Sequence, residues 1–225
     1  MSALSAQLLT RAKSAPSQRV WTTADFLDLG SRTAVDQALS RLVRQGALAR
    51  PARGLFAVRR KSERLGIDLP AKLDEVVGAL GRRSGATVVP SGATFANQLG
   101  LSAQVPMRAT FQTSGRTRRY QIGGVTVELR HVSPRRLAAS SPHNLAVLSA
   151  IAYLGKANID DEAIARLQTV TDAANDAALL SDARNQPAWV MAVVRRVIER
   201  AQGVRGEQAS AAANRPPIHR KFCGE

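Results

Sequence analysis

Apolar residues recur along the chain with two spacings, and the switches between them mark its elements. In residues 3–15, Leu4, Leu8, Leu9 and Ala12 stand three and four apart, the period of a helix with one buried face, and Pro16-Ser17 ends the run. After Val20-Trp21, Thr23 is placed to cap a short second helix over residues 24–29, closed by Gly30. Ser31 caps a third helix over residues 32–45, closed by Gly46. Two extended runs, 47–52 and 55–58, then flank Arg53-Gly54 as a tight hairpin. Three helices followed by a hairpin within residues 1–65 is the layout of a winged helix-turn-helix. On a helical wheel the third helix gathers Val35, Ala38, Leu39, Leu42 and Val43 on one side. Thr33, Asp36, Gln37, Ser40, Arg41 and Arg44 take the opposite side, a face of hydroxyl, amide and guanidinium groups with one acid.

Residues 59–64 are charged and 66–70 turn-like, which predicts a domain boundary near residue 65. Beyond it, Leu73, Val76, Val77 and Leu80 predict a helix over 71–83, residues 86–89 a short strand, and Pro90-Ser91-Gly92 a turn into a helix reaching Leu99. Strands are predicted over 107–113, 117–122 and 125–132, the last two joined at Gly123-Gly124. From Pro142 onward the pattern is helical: 145–155, 160–170, 172–182 and 189–202, with Asp160-Asp161-Glu162 complementing a helix dipole. The expected fold class is therefore α+β. A winged helix-turn-helix (1–65) precedes a mixed domain (66–203) with a small antiparallel sheet (66–140) and a helical part (141–203). Residues 204–225, rich in Ala, Gly, Arg and Pro, are expected to form a disordered tail.

Composition changes the picture mainly through charge. Lys and Arg number 32 against 17 Asp and Glu, a net +15. Residues 1–65 carry +8, 66–140 carry +6 and 141–225 only +1, so the excess falls where the helix-turn-helix and the sheet are expected. Such a surface attracts phosphate backbones by releasing condensed counterions. A helix of this diameter fits the DNA major groove, where Arg pairs with guanine and Gln with adenine. Candidate DNA-binding residues are Arg32, Thr33, Gln37, Ser40, Arg41, Arg44, Arg50 and Arg53, with Arg59, Arg60 and Lys61 extending the basic wing. A possible second basic patch comprises Arg108, Arg116, Arg118, Arg119, Arg130, Arg135 and Arg136, for DNA backbone or an acidic partner face. Tyr120, Phe111 and Phe95 are expected in the core. No run approaches the length of a membrane span and residues 1–14 lack the apolar block of a secretion signal, so the expected location is cytoplasmic.

The sequence offers little to build catalysis from. Between residues 66 and 140 the acids are Asp68, Asp74, Glu75 and Glu128. Glu128-Leu129-Arg130 lacks the lysine and the neighbouring acid of a nuclease strand. His131, His143 and His219 are not spaced as a ligand pair, and Cys223 is the sole cysteine, which excludes an intrachain disulfide. Ser91-Gly92 lacks the flanking glycines of a nucleophile elbow. The expectation is a protein that is no enzyme and takes neither cofactor nor metal.

One further reading comes from resemblance. The stretch Val88-Val89-Pro90-Ser91-Gly92-Ala93-Thr94-Phe95-Ala96-Asn97-Gln98-Leu99-Gly100-Leu101, then residues 116–120, then Val127-Glu128-Leu129-Arg130-His131-Val132, together with Ala52-Arg53-Gly54-Leu55-Phe56, resembles the AbiEi-like antitoxins of type IV toxin-antitoxin systems. The likeness covers about residues 1–140, is less distinctive over 141–203, and is absent from the tail. It implies an autorepressor that binds double-stranded DNA at inverted repeats in its own promoter and opposes a co-encoded nucleotidyltransferase-like toxin, an opposition that does not require direct contact. Carried over, the recognition positions are Thr33, Gln37, Ser40, Arg41 and Arg44 and the wing turn is Arg53-Gly54. The alternative is a stand-alone winged-helix transcriptional regulator whose C-terminal domain binds a small ligand or a protein.

Overall fold

The computed structural model describes residues 2–15, 19–104, 107–171 and 173–213, with side chains as far as residue 203. The chain is α+β and divides into two units, neither continuous in sequence: residues 1–91 with 106–137, and residues 92–105 with 138–225.

The first unit begins with α1 (Ala3–Ser14), whose Ser2 hydroxyl accepts from the Ser5 N–H at 3.3 Å. Strand β1 (Val20–Thr22) follows, and then, in place of the expected second helix, one 3-10 turn, Thr23–Phe26. Thr22 rather than Thr23 starts it, because the Asp25 carboxylate takes both the Thr22 N–H (2.7 Å) and its hydroxyl (2.9 Å). Helix α2 (Arg32–Arg44) and strands β2 (Leu48–Ala49) and β3 (Leu55–Val58) complete an antiparallel sheet of order β1-β3-β2. Leu8, Phe26, Val35, Leu39, Leu42 and Leu48 are fully or almost fully buried between the helices and this sheet.

The expected boundary near residue 65 falls inside this unit. Strands β4 (Arg60–Lys61) and β5 (Asp68–Leu69) form a two-stranded ribbon there. Next comes α3 (Leu73–Ser84), whose Val76, Val77, Ala79 and Leu80 share one core with Val20, Leu55 and Ala57 of the first sheet. That core is closed by a second sheet, formed by β6 (Val88–Pro90), β7 (Ala109–Thr113), β8 (Arg118–Ile122) and β9 (Val125–His131), in the order β6-β7-β9-β8. The sheet is mixed rather than antiparallel, because β7 and β9 pair in parallel, Phe111 opposite Leu129. A parallel pair needs a crossover, and here the β8 strand supplies it by returning antiparallel on the far side of β9. The short helix α5 (Pro134–Leu137) ends the unit.

The second unit is helical. Helix α4 (Gly92–Gln98), expected with the sheet, belongs here, packed on α6 (Pro142–Leu154). A Cβ on Gly92 would stand 2.5 Å from the Ser149 carbonyl oxygen and 2.7 Å from Tyr153 Cβ, so the close approach of the two helices admits glycine alone. Helices α7 (Asp161–Thr169), α8 (Asp176–Ala183) and α9 (Ala188–Ala213) complete the layer around Leu148, Ile151, Ile164, Leu167 and Val190. Residue 172, the expected start of the third C-terminal helix, lies outside the described residues, and a 3-10 turn (Ala173–Asn175) precedes α8. The tail expected to be disordered from residue 204 continues α9 as helix to Ala213. Residues 214–225, with His219 and Cys223, lie outside the described residues, as do Pro16 and Ser17. No helix among the described residues is long and apolar enough to cross a membrane.

Candidate nucleic-acid interface

Helix α2 is held at its start by Ser31, whose hydroxyl accepts from the Ala34 N–H at 3.4 Å, and it turns Val35, Ala38, Leu39 and Leu42 into the core. With that face committed, Arg32, Thr33, Gln37, Ser40, Arg41 and Arg44 are exposed. Residues four apart align along a helix, so the polar positions form two stripes. Arg32, Asp36 and Ser40 face a cleft of about 700 Å³ beside the β2–β3 turn, and Thr33, Gln37, Arg41 and Arg44 run alongside as the second stripe.

The other wall of the cleft is the turn itself. Gly54, at φ +73°, adopts a left-handed conformation that L side chains rarely take. Arg50 lays its guanidinium 5.9 Å from the centre of the Phe56 ring, a cation–π contact that keeps its charge over the cleft. Arg83, from the last turn of α3, donates to the Arg53 carbonyl and packs its Nη1 against Gly54, and its neighbour Arg82 donates to the Val20 carbonyl at 2.6 Å. Two consecutive arginines of α3 are thus fastened to the backbone of the first sheet. The cleft is lined by four arginines, Arg32, Arg50, Arg53 and Arg83, and by one acid, Asp36. Asp36 accepts from the Thr23 hydroxyl at 2.7 Å, and its second oxygen stands 4.0 Å from the Arg32 guanidinium. Tyr120 of β8 also reaches this cleft instead of lying wholly in the core.

The residues Arg59, Arg60 and Lys61 fall on or beside the β4–β5 ribbon, where Arg59 pairs with Asp68. The second basic patch is divided by the pleat of its sheet. Arg119 and Arg130 lie on the same face as Glu128 and pair with it at 3.4 and 3.0 Å. The hydrogen bond from Arg130 holds the Glu128 carboxyl below its usual range against its desolvation. Arg118 alternates to the opposite face of β8. Arg108 joins Arg119 along a smaller cleft of about 460 Å³, Arg116 stands exposed in the loop before β8, and Arg135 and Arg136 lie in α5. Among the described residues no three His, Cys, Asp or Glu side chains converge as a metal site.

Sequence reasoning missed Arg83 and Tyr120. A basic pair in the last turn of a helix reads as dipole complement. Nothing local in α3 announces a partner thirty positions earlier in the chain.

A family model described as a family of unknown function, DUF6088, matches residues 7–179. The chain belongs to the DUF6088 family. No curated protein matches it. Among solved structures, this DUF6088 chain is similar to the RV2827C protein from Mycobacterium tuberculosis at 15% identity, over 97% of this chain and 84% of that one, with a TM-score of 0.47. The arginines of the cleft, Asp36 and Tyr120 all lie within the span that the DUF6088 model matches.

Proposed function

We propose that the chain is a DNA-binding transcriptional repressor, not an enzyme, that residues 1–65 act as a winged helix-turn-helix, and that α2 enters the major groove while the β2–β3 turn holds the backbone as its wing. The observation that carries this reading is the convergence of Arg32, Arg50, Arg53 and Arg83 on one cleft alongside an exposed stripe of Thr33, Gln37, Arg41 and Arg44. Further support comes from the β2–β3 turn, whose Arg53 and Gly54 line the same cleft as Arg32, Asp36 and Ser40 of α2, and from the charge of +15. The antitoxin role, opposing a nucleotidyltransferase-like toxin encoded beside it, rests on the AbiEi-like resemblance and extends the proposal. The second basic patch supplies further backbone contact in this reading.

The deciding measurement is fluorescence anisotropy of the full chain on duplexes taken from upstream of its own gene and on scrambled duplexes. Binding is expected to prefer the upstream DNA and to fall with log salt at about −0.9 per phosphate neutralised. Arg41→Ala with Arg44→Ala is expected to abolish the preference. Equal, salt-independent binding to both duplexes refutes the reading. For the antitoxin role, the toxin is expressed from an unrelated promoter: rescue by an Arg41→Ala, Arg44→Ala, Arg53→Ala chain supports a function separate from repression, and failure of that folded variant refutes it.

A further inference from the structure

A single acid in a cleft of four arginines is costly to explain as a backbone contact, because a carboxylate turned toward phosphates is repelled by them. We propose that Asp36 is a specificity-determining residue, and that its carboxylate accepts a hydrogen bond from the exocyclic amino group of a cytosine in the major groove. This rests on the DNA-binding reading above and names the base that its cleft-side stripe selects.

The geometry favours that role. Asp36 sits one turn from Arg32 and one from Ser40 on α2, in the stripe facing the cleft, and its side chain is 49% exposed. One oxygen is tethered by the Thr23 hydroxyl at 2.7 Å, which fixes the rotamer. The other stands 4.0 Å from Arg32 Nε, beyond hydrogen-bond reach, and keeps its lone pairs for an incoming donor. In the major groove, cytosine presents an amino donor without an adjacent acceptor. Adenine presents its amino group beside the N7 acceptor, and guanine and thymine present acceptors only; it is the lone pairs of these acceptors that repel a carboxylate. Arg32 is then left to hold a neighbouring phosphate or guanine.

The competing account is that Asp36 only ties the 3-10 turn to α2 through Thr23. Asp36→Asn separates the two, since its amide oxygen still accepts from Thr23, whereas the group left facing the groove becomes an NH2 donor that is repelled by the cytosine amino group and suits a base edge with acceptors, best met by guanine N7 and O6. The experiment selects binders of the full chain from duplexes with a randomised core of about two helical turns. Single base-pair variants of the winning duplex are then measured by anisotropy. The wild type is expected to require cytosine at one position by roughly five- to 150-fold. Asp36→Asn is expected to lose that requirement, shift there toward a base that presents acceptors, guanine first, leave other positions unchanged and bind random duplexes more tightly. An unchanged base profile in a folded Asp36→Asn chain overturns the assignment, whether or not overall affinity rises. Should that variant melt at room temperature by circular dichroism, Thr23→Val takes its place. It keeps the acid but unties it, and is expected to weaken the cytosine preference alone; an unchanged profile overturns the assignment. A wild type that selects no sequence overturns this and the DNA-binding reading together. Selection lost in Arg41→Ala, Arg44→Ala but untouched by Asp36→Asn overturns this assignment only.

Discussion

Helices α2 and α6 are each 13 residues long and each begins at a serine whose hydroxyl accepts from the third N–H after it, Ser31 from Ala34 and Ser141 from Asn144. Their surroundings could hardly differ more. In α2 half of the surface is open and carries the arginines, whereas in α6 every residue from Asn144 to Ile151 is buried. Even the polar members of α6 are used internally. Asn144 donates to the Asp182 carboxylate at 2.8 Å and accepts from Asn175 at 2.8 Å, and the Ser140 N–H and hydroxyl also donate to Asp182. The starting signal of a helix is local and cheap, and what separates a helix that presents chemistry from one that organises a core is where its polar groups find partners.

That contrast predicts a graded set of effects on stability. The largest belongs to α6: Leu148→Ala removes a fully buried side chain and is expected to cost about 2–5 kcal/mol in urea denaturation. Second is Asp182→Ala, which strands the Ser140 and Asn144 donors and is expected to cost about 1–3 kcal/mol. Burial raises the Asp182 pKa, but the hydrogen bonds from Ser140 and Asn144 outweigh it and leave the carboxyl below its usual value. Below that usual value, near 3.9, the unfolded chain binds the proton more readily. Stability contributed by Asp182 is therefore complete above about pH 4 and lost as pH falls through the lower folded value. Acid titration of the melting temperature is expected to be shallower in Asp182→Asn.

The caps come third. Ser31→Ala and Ser141→Ala are each expected to cost about 1 kcal/mol. A much larger loss for Ser141 would show that the cap energy depends on burial and would break the claim that the two starts are equivalent. The smallest effect on stability falls on the open face of α2, where Arg41→Ala and Arg44→Ala are expected to stay within about 0.5 kcal/mol of wild type. On the DNA-binding reading the same changes cost about 1–3 kcal/mol of binding each if the arginines pair bidentately with bases. Arg53→Ala, by contrast, should weaken all duplexes similarly and flatten the salt slope by about one phosphate.

Sequence pattern reached α2 almost to the residue, because Ser31, the run of Val35, Ala38, Leu39 and Leu42, and Gly46 all speak within one element. It reached the strands of the second sheet for the same reason, through the Gly123-Gly124 turn. The partition of the chain was not legible. That Val20 and Leu55 share a core with Val76 and Leu80 depends on tertiary packing, and the charged, turn-like residues 59–70 gave the opposite signal because a ribbon at a sheet's end is made of the same residue types as a linker. The parallel pairing of β7 with β9 was hidden as well, since alternation along a strand says which face is buried and nothing about the direction of its neighbour. At the cleft, the α2 and hairpin residues could be read locally, while Arg83 and Tyr120 come from elements whose own patterns are satisfied without it.

The interleaving of the two units has a consequence for the order in which the nascent chain can fold. By the time residue 65 has been made, all the residues of α1, α2 and the first sheet are present, yet Val20, Leu55 and Ala57 still lack the helix and sheet that cover them. Residues 92–105, which belong to the other unit, are then made before residues 106–137 complete the first. At roughly 5–20 residues per second, several seconds pass with that apolar sheet face open and α4 waiting for α6. A chaperone that shields hydrophobic surface on the ribosome would find its longest opportunity in that interval, and a chain halted between residues 65 and 137 would be the form most prone to aggregate.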